Sequence, residues 1–146
     1  MLETLNGVKI QGPHILAVLA EGLALSGDVT SGLRMIEESL AQITRPGWEE
    51  CWYLAEVLRL KGWMLMLQGD LAGAEQQYLT SLDVARKQHA KSWELRTTTS
   101  LARLWQRQGK KKKAHKLLAE IYGWFTEGFD TKDLQEAEAL IEELSH

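Results

Sequence analysis

The chain has 146 residues, 45% of them hydrophobic and 25% charged, with a formal net charge of −3. That length predicts one domain that can bury roughly 70% of its unfolded surface without a disulfide or metal staple. The slight acidity disfavours nucleic acid and anionic membranes as partners. Two prolines count against a loop-rich β protein, since helix interiors exclude proline, and six tryptophans call for a core or a partner to cover them. Cys51 is the single cysteine, which excludes an intrachain disulfide and fits a reducing, cytoplasmic setting. The start, Met1 to Leu5, has no basic segment followed by an apolar one, so no signal peptide is expected. No run of about 18 uninterrupted apolar residues exists, so no membrane span is expected either.

Residues 1–12 carry little pattern, interrupted by Gly7 and Gly12, and Pro13 suits a first helical turn. From His14 to Leu25 apolar residues recur at helical spacing, and Ser26-Gly27-Asp28 breaks the pattern. A second helix is predicted from Val29 to about Ile43, ended by Arg45-Pro46-Gly47. A long helix follows over roughly Glu49 to Gln68, then Gly69-Asp70 and a helix from about Leu71 to Gln88. The next pair runs from about Ser92 to Gln108 and from Lys111 to about Phe125, separated by Gly109. Gly128 and Asp130 break the chain again before an amphipathic helix from Thr131 to Leu144. No segment reads as a strand.

Gly27, Gly69 and Gly109 lie 42 and 40 residues apart, and each separates two helical patterns. Counted from these glycines, small residues recur seven before (Ala20, Gly62, Ala102) and five after (Gly32, Ala74, Ala114). Large apolar residues flank them. Small side chains let two helix backbones approach, and large ones fill the grooves beside the crossing. Three hairpins with one plan predict an all-α superhelix, a right-handed solenoid in which each unit buries its face on the next. The divisions expected are an N-terminal segment (1–12), repeats over 13–47, 48–90 and 91–128, and a capping helix over 129–146.

The small-residue positions and the Gly-Asp turns (Gly27-Asp28 and Gly69-Asp70) resemble the tetratricopeptide repeat, with longer helices and a 40- to 42-residue spacing in place of that family's 34-residue unit. A more specific resemblance lies in Leu54 to Gly62, in Ser100 to Trp105 with Gln108-Gly109, and above all in Ile121-Tyr122-Gly123-Trp124-Phe125-Thr126-Glu127-Gly128-Phe129-Asp130-Thr131. These stretches resemble the C-terminal repeats of multidomain bacterial signalling proteins, in which a nucleotide-cyclase or LuxR-type DNA-binding domain precedes a STAND-type ATPase. The resemblance covers about residues 13–144 and implies a regulatory, partner-sensing module. The cyclase and ATPase parts have no counterpart in this sequence, so their activities do not carry over.

Catalytic signatures are missing. Gly62 and Gly69 lack the Lys-Ser/Thr ending of a phosphate-binding loop, and Ser26-Gly27 lacks the spacing of a nucleophile elbow. His14, His89, His115 and His146 form no metal-ligand spacing, with each other or with Cys51. Cys51 reads as a small buried hydrophobe. The chain is therefore expected to be no enzyme and to need no cofactor or metal. Lys110 to Lys113 is an anchor for phosphate or an acidic partner on one reading and a solvated turn on the preferred one. Trp124, Phe125 and Phe129 form a ligand-stacking box on one reading and, on the preferred one, pack the last helix onto the third repeat.

In such a superhelix the first helix of each pair lines the concave face. The residues expected there include His14 and Glu21, then Glu56, Arg59, Trp63 and Met66, then Arg96, Arg103, Gln106 and Arg107. This surface starts mildly acidic, becomes apolar, and ends basic. It predicts a protein or peptide partner with an apolar anchor and acidic residues, rather than nucleic acid or membrane. Trp63 and Met66 have a second reading as core, and the arginines as members of local ion pairs. A different function, homodimer or higher self-assembly, follows if the first hairpin (Leu16, Leu19, Leu33, Ile36) leaves an open apolar end.

Overall fold

A computed structural model describes residues 13–43 and 52–146. They form seven helices: α1 (Pro13–Leu25), α2 (Val29–Ile43), α3 (Leu54–Leu67), α4 (Leu71–Lys87), α5 (Lys91–Arg107), α6 (Lys111–Tyr122) and α7 (Lys132–Leu144). No strand occurs among the described residues. The expectations for residues 1–12, for the Arg45-Pro46-Gly47 turn, for the first residues of the long helix and for Cys51 lie outside them. So does the side chain of His14.

The three glycines sit at equivalent bends. Gly27, Gly69 and Gly109 have φ of +102°, +86° and +78°, the left-handed region where a Cβ is strained. Each turn is closed by the same pair of backbone bonds. At the first, Asp28 N–H reaches the Leu23 carbonyl (2.9 Å) and Gly27 N–H reaches that of Ala24 (3.1 Å). Asp70 with Leu65 (2.9 Å) and Lys110 with Trp105 (2.8 Å) repeat the longer bond. This pattern satisfies the last carbonyls of the ending helix. The following aspartate then starts the next helix: Asp70 accepts from Gly73 N–H at 2.9 Å, and Asp28 from Ser31 N–H at 3.2 Å. Hydrogen bonds from Ser31 hold the Asp28 carboxyl below its ordinary pKa.

A fourth turn of this kind joins α4 to α5, and the sequence did not mark it. His89 takes φ of +55°, and Ala90 N–H bonds the Ala85 carbonyl at 2.8 Å. Histidine is among the residues that enter the left-handed region more readily than most.

Antiparallel hairpins α1–α2, α3–α4 and α5–α6 stack in order. Helices α1, α3, α5 and α7 touch in succession as an inner row, with α2, α4 and α6 behind. All six small positions at the crossings are buried. A Cβ on Gly32 would meet the Ala20 carbonyl oxygen at 2.9 Å, and one on Gly62 would meet the Tyr78 ring at 2.7 Å and the Ala74 carbonyl at 3.1 Å. The small residues thus face each other across the hairpins, as the spacing predicts. Ser81 adds a polar tie among three helices. Its hydroxyl donates to the Ala55 carbonyl at 2.6 Å and lies 2.8 Å from Thr97 Oγ1, which donates in turn.

The aromatic loop behaves only partly as expected. Phe125 packs on the core beside α7, but Trp124 and Phe129 remain 56% and 43% exposed. Trp124 meets the Phe125 ring edge-on at 5.1 Å, and Tyr122 donates from its hydroxyl to Glu138 at 3.2 Å. Lys110 to Lys113 are all exposed. The ammonium of Lys113 lies 4.3 Å from the Trp105 ring centroid, an attraction that offsets its unfavourable place at a helix start.

Candidate groove on the inner helices

The inner row carries a polar cavity of about 370 Å³ and, beside it, a second of about 290 Å³. Helical spacing explains which side chains reach them. Positions three and four apart share a face, so Glu56, Arg59 and Trp63 of α3 point one way, as do Arg96, Thr99 and Arg103 of α5. The first cavity lies between Glu21 of α1 and Lys132, Asp133 and Glu136 of α7. Trp63, Met66 and Tyr78 line the second, which shares Glu21, Arg59 and Arg103 with the first.

Of the residues expected on the concave face, the structure therefore brings together Glu21, Glu56, Arg59, Trp63, Met66, Arg96 and Arg103. Gln106 and Arg107 line neither cavity, and Arg107 is exposed. Trp63 is also partly buried against the apolar core that Ile36 of α2 forms with Val57, Leu60 and Met64 of α3, so its two readings are compatible.

The electrostatics follow the ion-pair reading of the arginines rather than the basic-surface one. Glu56, only 6% exposed at its side chain, accepts from Arg59 twice (Nε 2.7 Å, Nη2 2.8 Å) and from Arg96 Nη1 at 3.2 Å. Arg59 turns its remaining arm to the Ser100 hydroxyl at 3.4 Å. Arg96 meets both oxygens of Asp133 (2.9 and 3.4 Å), and its guanidinium lies 5.1 Å from the Trp93 ring. Burial works to lower the pKa of each arginine, but the hydrogen bonds and charges of Glu56, and of Asp133 for Arg96, outweigh it. Both stay above the ordinary arginine value. Among the described residues Arg103 has one ion-pair contact, a long one of 3.8 Å to Glu136. The end that reads as basic in the sequence is thus neutralised from α7, and the larger cavity is lined by four carboxylates and four cations. Neither Asp133 nor Glu136 was assigned to the groove from sequence.

Two phenols border the site. Tyr53 is pushed above its ordinary pKa by burial and by the charges of Glu56 and Glu21. Tyr78 is pushed up to about 12 by burial, against the pull of Arg59 and Arg103. No group of three or more His, Cys, Asp or Glu side chains among the described residues is placed to hold a metal. No helix among them is long and apolar enough to cross a membrane.

No family model matches the sequence, and no curated protein matches it. Solved structures match the fold. BtubC (BKLC) from P. vanneervenii superposes with a TM-score of 0.72 at 15% identity, over 91% of this chain and 61% of that one. A Podosopora anserina putative kinesin light chain with nearly identical TPR-like repeats gives 0.76 at 15% identity, over 92% and 67%. A single-residue variant of that light chain gives 0.67 at 16%, over 99% and 76%. This chain therefore spans about three-fifths of BtubC. The likeness shows the fold, an all-helical TPR-like solenoid.

Proposed function

We propose that the chain is a non-enzymatic interaction module that holds a protein or peptide segment in the groove of its inner helices. The observation that carries this reading is the adjacency of the two cavities, one polar and one bordered by Trp63 and Met66, which share Glu21, Arg59, Ser100 and Arg103. That combination suits a segment anchored by one apolar side chain and oriented by polar contacts. The Tyr122 to Thr131 run supports a place among the repeats of a bacterial multidomain signalling protein, and a single cysteine supports a cytoplasmic one. Titration of the purified chain with peptides bearing a leucine anchor, followed by tryptophan fluorescence, tests the groove. Binding that is lost in Trp63→Ala is expected; affinity unchanged in Trp63→Ala and Arg103→Glu rules out the assignment.

A second reading, self-association, has its own observation. Ile15, Val18, Leu19 and Leu25 on α1 are 36%, 53%, 47% and 71% exposed. Of the residues expected at an open end, Leu16 and Ile36 are instead fully buried and Leu33 is half-buried, because α2 and α3 already cover that side. The apolar strip belongs to the outer side of α1, where another hairpin would stack in a solenoid. Light scattering distinguishes the readings: a dimer dispersed by Val18→Glu supports self-assembly, and a monomer at high concentration excludes it.

A further inference from the structure

The groove arginines divide into two kinds. Arg59 and Arg96 are committed to Glu56, Ser100 and Asp133, and their side chains are 15% and 37% exposed. An incoming carboxylate would have to displace bonds of 2.7 to 2.9 Å to reach them. Arg103 is different. Its side chain is 48% exposed and its single acidic contact is 3.8 Å long. Facing the same two cavities from α1, Glu21 makes no ion pair among the described residues. Of the charged groups that line both cavities, Arg103 therefore remains an under-satisfied cation and Glu21 an unpaired carboxylate among the described residues, on opposite sides of α3 with Trp63 and Met66 beside them; Lys132 of α7, also 3.8 Å from Glu136, lines only the first cavity.

We infer that the groove selects a dipolar peptide segment, with an apolar anchor beside Trp63, a carboxylate directed to Arg103 and a Lys or Arg directed to Glu21. This rests on the groove reading and narrows it: the ligand is charge-balanced rather than acidic. The closed Glu56–Arg59–Arg96–Asp133 network shapes the floor. A doubly acidic segment would meet Glu21 unfavourably, and a doubly basic one would meet Arg103 unfavourably.

Four dodecapeptides with a central leucine test this against the full chain by fluorescence anisotropy. Two carry one Lys and one Glu flanking the leucine in either order, one carries two Glu, and one two Lys. At least one dipolar peptide is expected to bind roughly three- to tenfold more tightly than either like-charged one. Glu21→Lys should transfer the preference to the doubly acidic peptide, and Arg103→Glu to the doubly basic one, with helical circular dichroism unchanged in both. Binding that ignores peptide charge, or a wild-type preference for the doubly acidic peptide, overturns the dipolar inference and leaves the groove standing. If all four fail to bind, the groove reading falls, and this inference with it.

Discussion

At Gly62 the inner helix α3 meets Tyr78 of α4 with no space for a methyl group, while two turns earlier Glu56 on the same helix is clamped between two guanidinium groups. Both positions are specified by their neighbours, one through shape and one through charge. The first depends on a local rule, because the crossing partner lies a fixed distance along the same hairpin. The second depends on groups from two helices, Arg59 one turn along α3 and Arg96 of α5, 40 residues away. Shape in this solenoid is written within a repeat, and groove electrostatics are written partly within α3, through Arg59, and partly between repeats, through Arg96 and Asp133.

Breaking the charged side should have the largest effect. Glu56→Ala leaves Arg59 and Arg96 facing each other without their shared carboxylate, and destabilisation of about 3–5 kcal/mol in urea unfolding is expected. Breaking the steric side with Gly62→Leu should cost about 1–3 kcal/mol, because ring and carbonyl must both shift; Ala102→Leu, at the equivalent crossing, should fall in the same range. A loss under about 0.5 kcal/mol at either site would remove the argument that these crossings need small residues. Asp133→Ala sharpens the contrast from the α7 side. Its partner Arg96 is more than a third exposed at the side chain, so solvent screening holds the expected loss to about 1 kcal/mol or less.

Tyr78 adds a pH signature to the steric side. Its folded-state pKa lies above the ordinary 10.0, at about 12, so the neutral phenol is the form the fold favours. Its contribution is fully present below pH 10 and is lost as pH rises from 10 toward 12. Denaturant melts across that range should show falling stability, less steeply in Tyr78→Phe. Lys112→Leu, on the exposed start of α6, should change stability by less than about 0.5 kcal/mol.

The same division decides what could be read from the chain alone. The glycines at 27, 69 and 109 carry the bends because only the local backbone has to be satisfied there. The bend at His89 is not legible in the sequence because histidine marks a left-handed turn far less than glycine does, although its hydrogen bonds are the same. Helical spacing placed seven of the proposed concave residues on the two cavities, since a side chain's direction on a helix follows from its position. Their state of charge did not follow. The ion-pair reading of Arg96 and Arg103 carries no partners with it, because Asp133 and Glu136 are on α7 and Glu56 lies 40 residues away on α3, with no local pattern to tie them. Exposure of Trp124 and Phe129 was likewise illegible, as a composition rich in aromatics says nothing about which ring the core has room for.

Tyr78 belongs to the outer layer, yet it borders the inner cavity with Trp63 and Arg103. It gets there because α3 carries no side chain at residue 62 to block it. The inner wall is therefore perforated at one point, and the phenol is a line of sight from the back of the solenoid to whatever occupies the front. A ligand settling on Trp63 would meet the back row as well as the front, through the Tyr78 ring of α4.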